Sequence, residues 1–503
     1  MNLIRREDVE VVIRDMAGVF QLLAYIMLIP IVVSILYGGD AGILEIIVKI
    51  VAFIIPGFIF HLTAAAIRKN FKSQRHTEAK HALLSMVFIW LIVALVGALP
   101  FMIRGTLGPV DAFFESMSGW ATTGMTQIEY PEYLMDSGDY DILFYRSLTH
   151  LVGGVGIIAL ALMVLMQSKT AAKAYYGSEV GSQKIRPAIK GTLKETWKIY
   201  GIFTFTCAVL LYLAGMTPFD AVNHSFSALS TGGFSTHSQS IAYFNSPLIE
   251  GILIFFMIVG AVSFLLHYRL LNGDIKGFFG NIETRYMFIL ILFSVAIITP
   301  SLYNQGAGFQ HVDLLNGWES FRLSVFQTVS AITCTGFSTA NAGDWPEVTQ
   351  TIIMGLMYTG GMYGSTAGGI KLLRLAIIIR AVFYVTKRML LPRSAVVVMK
   401  VDQKPIDAED ILYVLGFGMI YLVIAVIGAL FFMLLGYTGY HSMALTLSAM
   451  GNVGIVYITG DPWYHMPAIG KIVVALLMWV GRLEIFPMLM LLQPIYEKSK
   501  DWK

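Results

Sequence analysis

Charge is scarce in this chain. Asp, Glu, Lys and Arg together make up 13% of the 503 residues, against roughly 25% in an average soluble domain. Hydrophobic residues account for 56%, and mean hydropathy is +0.69. A soluble fold for the whole chain is thereby excluded, and the hydropathy has to be divided into membrane spans first. Cysteine is nearly absent as well. Cys207 and Cys334 both sit among apolar residues, with no metal-type spacing and no disulfide framework, so both are expected to be buried thiols. Carboxylates are few within the apolar runs, which leaves little for a proton relay. No nucleophile, base and acid stand in a credible constellation, so no enzyme activity and no catalytic residue is expected. A phosphate-binding loop is excluded at 360–371, because Ile370 separates Gly369 from Lys371 and no strand precedes the run. No nucleotide-binding domain and no nucleic-acid partner are expected. Arg5, Arg6 and Arg14 precede an apolar run in the manner of a signal peptide, but Glu7, Asp8, Glu10 and Asp15 interleave and no small-residue cleavage site follows. Gly18 to Tyr37 is therefore read as a first retained helix.

What is present is apolar length. Runs near 16–37, 43–67, 81–103, 142–167, 197–214, 248–271, 286–302, 349–386, 411–435 and 468–492 give ten candidate spans, each long enough for a crossing of roughly 20 residues, with 349–386 longer and broken by glycines. Basic residues crowd alternate loops: Arg68, Lys69, Lys72, Arg75 and Lys80; then Lys169, Lys173, Lys184, Arg186, Lys190, Lys194 and Lys198; then Lys371, Arg374, Arg380, Lys387, Arg388 and Arg393. By the positive-inside rule both termini face the cytoplasm, in a multi-pass protein of the cytoplasmic membrane surrounded by lipid. An opposite loop carries Glu129, Glu132, Asp136, Asp139 and Asp141 with no Lys or Arg. These acids would concentrate cations outside, or simply keep the loop in water.

Four stretches between the spans, 109–121, 218–230, 318–333 and 440–451, are too short to cross and read as re-entrant half-helices. They align with one another. When Gly124, Gly233, Gly336 and Gly454 are superposed, Ser118, Ser227, Ser330 and Ser448 stand six positions earlier. Gly119, Ala228, Ala331 and Ala449 stand five earlier, and Ser116, Ser225, Thr328 and Thr446 eight earlier. Pro109 and Pro218, followed by Asp111 and Asp220, suit a first helical turn. The predicted fold is an all-α polytopic membrane protein with four pseudo-symmetric helix–pore loop–helix units around a central pore. Two N-terminal helices occupy 1–80 and the units occupy 81–196, 197–284, 285–405 and 406–503.

After each half-helix comes a short glycine segment: Thr122, Thr123 and Gly124; Thr231, Gly232 and Gly233; Cys334, Thr335 and Gly336; Asn452, Val453 and Gly454. Glycine allows backbone angles in which successive carbonyls turn one way. Four such segments around an axis could replace the hydration shell of a monovalent cation, with the half-helix C-termini adding negative potential. For any single glycine, a close helix–helix contact explains the residue equally well.

The segments SerThrGlyGlyPheSerThrHis at 230–237, ThrGlyPheSerThr at 335–339, GlyGlyMetTyrGlySerThrAlaGlyGlyIleLys at 360–371, AsnValGly at 452–454 and GlyArgLeuGluIlePhe at 481–486 together resemble the TrkH/KtrB family of potassium transporters, within the superfamily that includes Trk, Ktr and HKT proteins. The resemblance covers almost the whole chain, and the two extra N-terminal helices look like the TrkH branch. It implies channel-like potassium uptake, with Gly124, Gly233, Gly336 and Gly454 as filter glycines. It also implies K+ at the carbonyls of Thr123, Gly232, Thr335 and Val453, a homodimer, and a cytoplasmic nucleotide-binding regulator of the TrkA type. Potassium is then the substrate, and no cofactor is expected. Glycine rather than serine at the first filter position favours potassium over sodium. The fourth segment, with Ile455 where proline or leucine is usual, is the departure from the family pattern that puts its assignment as a filter segment most in doubt.

Gly360, Gly361, Gly364, Ser365, Thr366, Gly368 and Gly369 interrupt an apolar run that would otherwise be one helix. The resemblance makes this the gating loop, where the residues alone allow a kinked helix. Arg482 lies deep in the last span, where a charge costs roughly 2.5–3.5 kcal/mol on insertion scales. The resemblance places it in the pathway as a barrier, and quiet pairing with Glu484 or a neighbouring helix is the plainer alternative. His150, His224, His237 and His267 lack metal spacing, with His237 expected to be solvated. Trp120 and Trp345 could support the pore loops or sit at the membrane interface, the latter being the default expectation. The rival function is a potassium symporter coupled to H+ or Na+, since broken helices and repeats also build secondary transporters.

Overall fold

A computed structural model of the chain describes residues 6–37, 42–72, 79–167, 189–305, 316–392, 398–402, 404–458, 460–485 and 487–489. Of the residues named above, Arg5, Arg75, Lys169, Lys173, Lys184, Arg186, Arg393 and Phe486 lie outside the described residues, as does the end of the last apolar run at 490–492.

Apolar length becomes helix throughout. Among the described residues, six helices are long and apolar enough to cross a bilayer: Asp8–Leu36, Ile43–Asn70, Lys80–Ile103, Lys194–Leu213, Ile282–Tyr303 and Ala408–Leu434. Only 28% of the apolar window of Ile282–Tyr303 is buried inside the protein, and 50% of that of Lys80–Ile103. The rest faces outward, as at Leu292 and Phe293. Each Å² of such surface costs about 25 cal/mol against water, so its solvent is hydrocarbon.

The other expected spans are less simple. The run at 142–167 is one helix, Tyr140–Gln167. The run at 248–271 divides into Pro247–Ala261 and Phe264–Leu271, which meet at 106°. The run at 349–386 divides into Glu347–Thr359 and Leu372–Leu390, and the last helix, Ala468–Arg482, ends at the arginine. The first expected helix also needs correction. It begins at Arg6 and splits into Arg6–Ile26 and Ile29–Leu36, because Pro30 lacks the N–H that would continue the ladder.

The half-helices span Pro109–Trp120, Pro218–Leu229, Gly317–Ile332 and Gly439–Gly451. The first two begin on proline with Asp111 and Asp220 in the first turn. The third uses a capping box between Asn316 and Glu319, and the fourth a Thr438 cap on the His441 N–H. Proline removes one orphan donor from each of the first two, and side-chain caps, from Thr217 in the second, satisfy one in each of the last three. The result is an all-α polytopic membrane protein of four pseudo-symmetric units plus the N-terminal helices. The only strand pairing among the described residues is a two-residue antiparallel ladder, Lys400–Val401 with Lys404–Pro405.

The N-terminal helices dock on the first unit through charge. Buried Lys49 donates to the Gly138 carbonyl at 2.9 Å and stands 3.5 Å from Asp139. Arg104 also pairs with Asp139, and the Ser34 hydroxyl donates to Asp141 at 3.0 Å. Two of the loop's acids are therefore neutralised structurally, which weakens their expected part in drawing cations.

Candidate functional site

Each half-helix ends in the same way. The N–H groups of Thr123, Gly232, Thr335 and Val453 donate to the carbonyls of Ser118, Ser227, Ser330 and Ser448 at 2.9, 2.8, 2.9 and 2.9 Å. Those of Thr122, Thr231, Cys334 and Asn452 donate to Gly119, Ala228, Ala331 and Ala449 at 3.0, 3.1, 3.1 and 3.2 Å. This is the Schellman closure, and it requires a left-handed residue just past the helix. Thr122, Thr231, Cys334 and Asn452 take that role at φ 49°, 52°, 55° and 50°, each at a cost of roughly 1–2 kcal/mol because none is glycine. The serine and small-residue columns of the repeat are the carbonyl acceptors of this closure.

Two residues on, Gly124, Gly233, Gly336 and Gly454 lie at φ 84°, 80°, 83° and 91°. A Cβ on Gly124 would overlap the carbonyl oxygen of Gly232, and one on Gly233 that of Thr335. One on Gly336 would overlap that of Val453, and one on Gly454 that of Thr123. The contacts close into a ring of four units, at the carbonyls of Thr123, Gly232, Thr335 and Val453. The fourth segment, which departs most from the family pattern in sequence, takes the same positive angles at Asn452 and Gly454 as its counterparts.

Buried polar groups hold the ring from behind, and these carried no sequence signal. Arg146 Nε donates to fully buried Glu115 at 2.8 Å, and its Nη atoms reach Thr126 Oγ1 at 2.9 Å and the Ser235 carbonyl at 3.2 Å. Glu115 also accepts from the Gln127 N–H and the Thr126 hydroxyl, at 2.8 and 2.9 Å. The guanidinium lies 4.1 Å over Phe234, whose ring stacks with His150. Between units four and one, the Asn452 amide donates to Thr123 Oγ1 at 3.0 Å and the Trp463 indole to the Thr126 carbonyl at 2.8 Å. At the outer edge Ser238 donates to Glu132 through its N–H and hydroxyl, at 3.0 and 2.6 Å. Partial burial opposes the charge of Glu132, but these bonds prevail and hold its carboxyl below the usual range.

Three expectations are corrected here. His237 is buried, stacked on Tyr243 at 3.6 Å and 3.5 Å from Asp220, so it is not solvated. Trp120 and Trp345 are buried, and their carbonyls accept from Trp90 and Gln350 at 3.2 and 2.7 Å, so they brace the segments and do not form an interfacial belt.

Below the ring, Gly360–Lys371 forms an irregular loop between the two halves of the third unit's second helix. Gly360 and Gly369, at φ 72°, face each other so closely that a Cβ on Gly369 would stand 2.7 Å from the Gly360 Cα. Gly361 packs on Ala367, and a Cβ on Gly368 would overlap the carbonyl of Gly451, the last residue of the fourth half-helix. Gly364 lies at φ 78° beside Ser263, and the Ser365 hydroxyl donates to the Met362 carbonyl at 2.6 Å. The Thr366 hydroxyl lies 3.0 and 2.9 Å from the Leu229 and Gly260 carbonyls and accepts from Thr231 at 3.1 Å. Arg482 donates to the Thr366 carbonyl at 2.9 Å and to the Gly153 carbonyl at 3.1 Å. Of the two plainer partners, the neighbouring helix is found, through Gly153, and Glu484 is not, since it pairs with Arg374 at 2.5 Å. Sequence reading also missed Glu283, a fully buried carboxylate that accepts from the Tyr363 N–H at 2.8 Å and the Leu373 N–H at 3.2 Å, one inside the loop and one past it. A second glycine column was missed too. A Cβ on Gly153, Gly260 or Gly481 would run into the last-turn carbonyls of Trp120, Leu229 or Met450.

Among the described residues, no group of three or more His, Cys, Asp and Glu could hold a metal ion, and both cysteines are buried and free.

The family model described as "TrkH: Cation transport protein" matches residues 49–503. An uncharacterised cation transporter of Methanocaldococcus jannaschii is 33% identical over 497 residues, covering 98% of this chain and 97% of that protein. The Trk system potassium uptake protein TrkH of Escherichia coli is 31% identical over 478 residues, covering 93% and 95%. The crystal structure of the potassium transporter TrkH from Vibrio parahaemolyticus superposes with a TM-score of 0.84 at 30% identity, covering 98% of this chain and all of the other.

Proposed function

The chain belongs to the TrkH family of cation transport proteins, and from that premise we propose that it mediates potassium uptake across the cytoplasmic membrane through a channel-like pore. The closed ring of the four filter segments carries this reading. A potassium ion entering it exchanges water for the carbonyls of Thr123, Gly232, Thr335 and Val453. Four half-helix C-termini, each worth roughly −0.5 elementary charge, offset the desolvation. The loop at 360–371 is the gate, with Arg482 as its latch and as a positive barrier below the ring. The carboxylates near the path, Glu115, Glu283 and Glu484, are all engaged by Arg or backbone N–H donors, which favours a pore over a proton-coupled symporter. We read the pore units as 81–196, 197–284, 285–405 and 406–503, with both termini cytoplasmic. A homodimer and a TrkA-like nucleotide-binding subunit are the expected partners.

The test is tracer rubidium influx into vesicles of the pure protein loaded with potassium, with potassium, sodium and lithium as external competitors. Block by potassium alone is the expected result. Equal competition by sodium would refute the selectivity.

A further inference from the structure

Away from the ring, a side cavity of about 810 Å³ opens between the N-terminal helix, unit one and unit two. This is within the roughly 300–1,000 Å³ range of ligand sites. Its walls include Leu22, Trp90, Trp120, Gly153, Trp197 and Phe205. Leu22, Trp197 and Phe205 are 48%, 49% and 71% exposed, so the mouth opens on the surrounding hydrocarbon. The polar atoms of the wall are turned away from it. The Tyr200 hydroxyl donates to the Leu151 carbonyl, Thr204 to Tyr200, Ser225 to Val222 and the Trp90 indole to Trp120, at 3.3, 2.8, 2.8 and 3.2 Å. A polar ligand would find no partner there, and water could not keep its hydrogen bonds.

We infer that this cavity holds one acyl chain of an anionic phospholipid. The charge follows from the helix that forms one wall, Ile189–Leu213. It presents Trp197, Gly201, Thr204, Phe205 and Ala208 to the cavity, and on the turns at its basic end stand exposed Lys194 and Lys198. That end suits a phosphate headgroup, with Trp197 at the boundary. The chain would lie against Trp120, the last residue of the first half-helix, and Gly153, whose carbonyl holds Arg482. Lipid occupancy would therefore bear on both the first filter segment and the latch. The coupling to flux rests on the proposed function, but the binding does not.

Gly201 provides the test, because a Cβ there meets nothing within 4 Å, so a large side chain can fill the cavity without displacing protein. Wild type, Gly201→Phe, Ala208→Phe and Lys194→Gln/Lys198→Gln are purified in detergent after equal exposure to phosphatidylglycerol or phosphatidylcholine. Retained lipid per chain is then read by native mass spectrometry. Wild type should keep one tightly held phosphatidylglycerol, and both cavity-filling variants should lose it by about tenfold while keeping the wild-type subunit count. The lysine double variant should retain lipid but lose the preference for phosphatidylglycerol. Unchanged retention in both filling variants overturns the site. So does a changed subunit count with unchanged lipid, which would make the cavity a contact between copies. Equal retention of the two lipids by wild type overturns the anionic assignment.

Discussion

At the residue scale, the four ring glycines combine two demands that sequence could suggest but not separate: a left-handed backbone angle and a neighbouring carbonyl where a Cβ would stand. Alanine at Gly336 incurs roughly 1–2 kcal/mol for the angle alone, and the Val453 carbonyl would have to move as well. Gly336→Ala should lower rubidium flux at least about tenfold, while the variant still purifies as a folded protein. Arg482 is the second case. It has two carbonyl partners, so it acts as a tether as well as a charge. A charged hydrogen bond is worth about 1.5–3 kcal/mol. Arg482→Ala should therefore raise vesicle flux about tenfold or more, and unchanged flux would remove it from the gate. Arg482→Lys keeps the charge but lacks the fork that spans Thr366 and Gly153. If its flux equals wild type, charge alone closes the path. A rise toward the alanine value identifies the tether as the closing element.

At the element scale, the half-helices were legible because their register is written in small and hydroxylated residues around a helix end, a local closure that any four copies must repeat. The groups behind them were not legible. Glu115 and Arg146 are 31 positions apart, and Glu283 meets Tyr363 across 80. No periodicity announces such pairs, which exist only because the fold brings two helices together. The column of Gly153, Gly260 and Gly481 was readable in principle, since each follows its filter glycine at similar spacing. The run at 248–271 was expected to be one span because hydropathy measures length and cannot detect a 106° bend. The loop at 360–371 is held by contacts to five other elements, through Leu229, Gly260, Glu283, Gly451 and Arg482, which fixes what its loosening should do. Thr366→Val removes the hydroxyl that meets Leu229, Gly260 and Thr231 and should raise basal flux several-fold. Glu283→Ala leaves the Tyr363 and Leu373 N–H groups unpaired and should raise flux and lower thermal stability together. Glu283→Gln, which keeps an acceptor, should recover much of both. Flux unchanged in all three variants would mean that the loop does not gate.

At the scale of the molecule, the four units are equal at the ring and unequal beneath it. The first unit's second helix runs unbroken, the second bends, the third opens into the loop, and the fourth ends at Arg482. On the proposed reading, selection is shared among four segments, whereas control belongs to the third and fourth units. The central claim is that the ring itself selects potassium by passive conduction. It is tested most directly by the reversal potential of reconstituted Arg482→Ala protein, with potassium on one side of the membrane and sodium on the other, at two values of external pH. The account requires a reversal potential set by the potassium gradient and unmoved by pH, and its collapse toward zero when Gly233→Ser is added. A reversal potential near zero before that substitution, or one that follows the proton gradient, would contradict it.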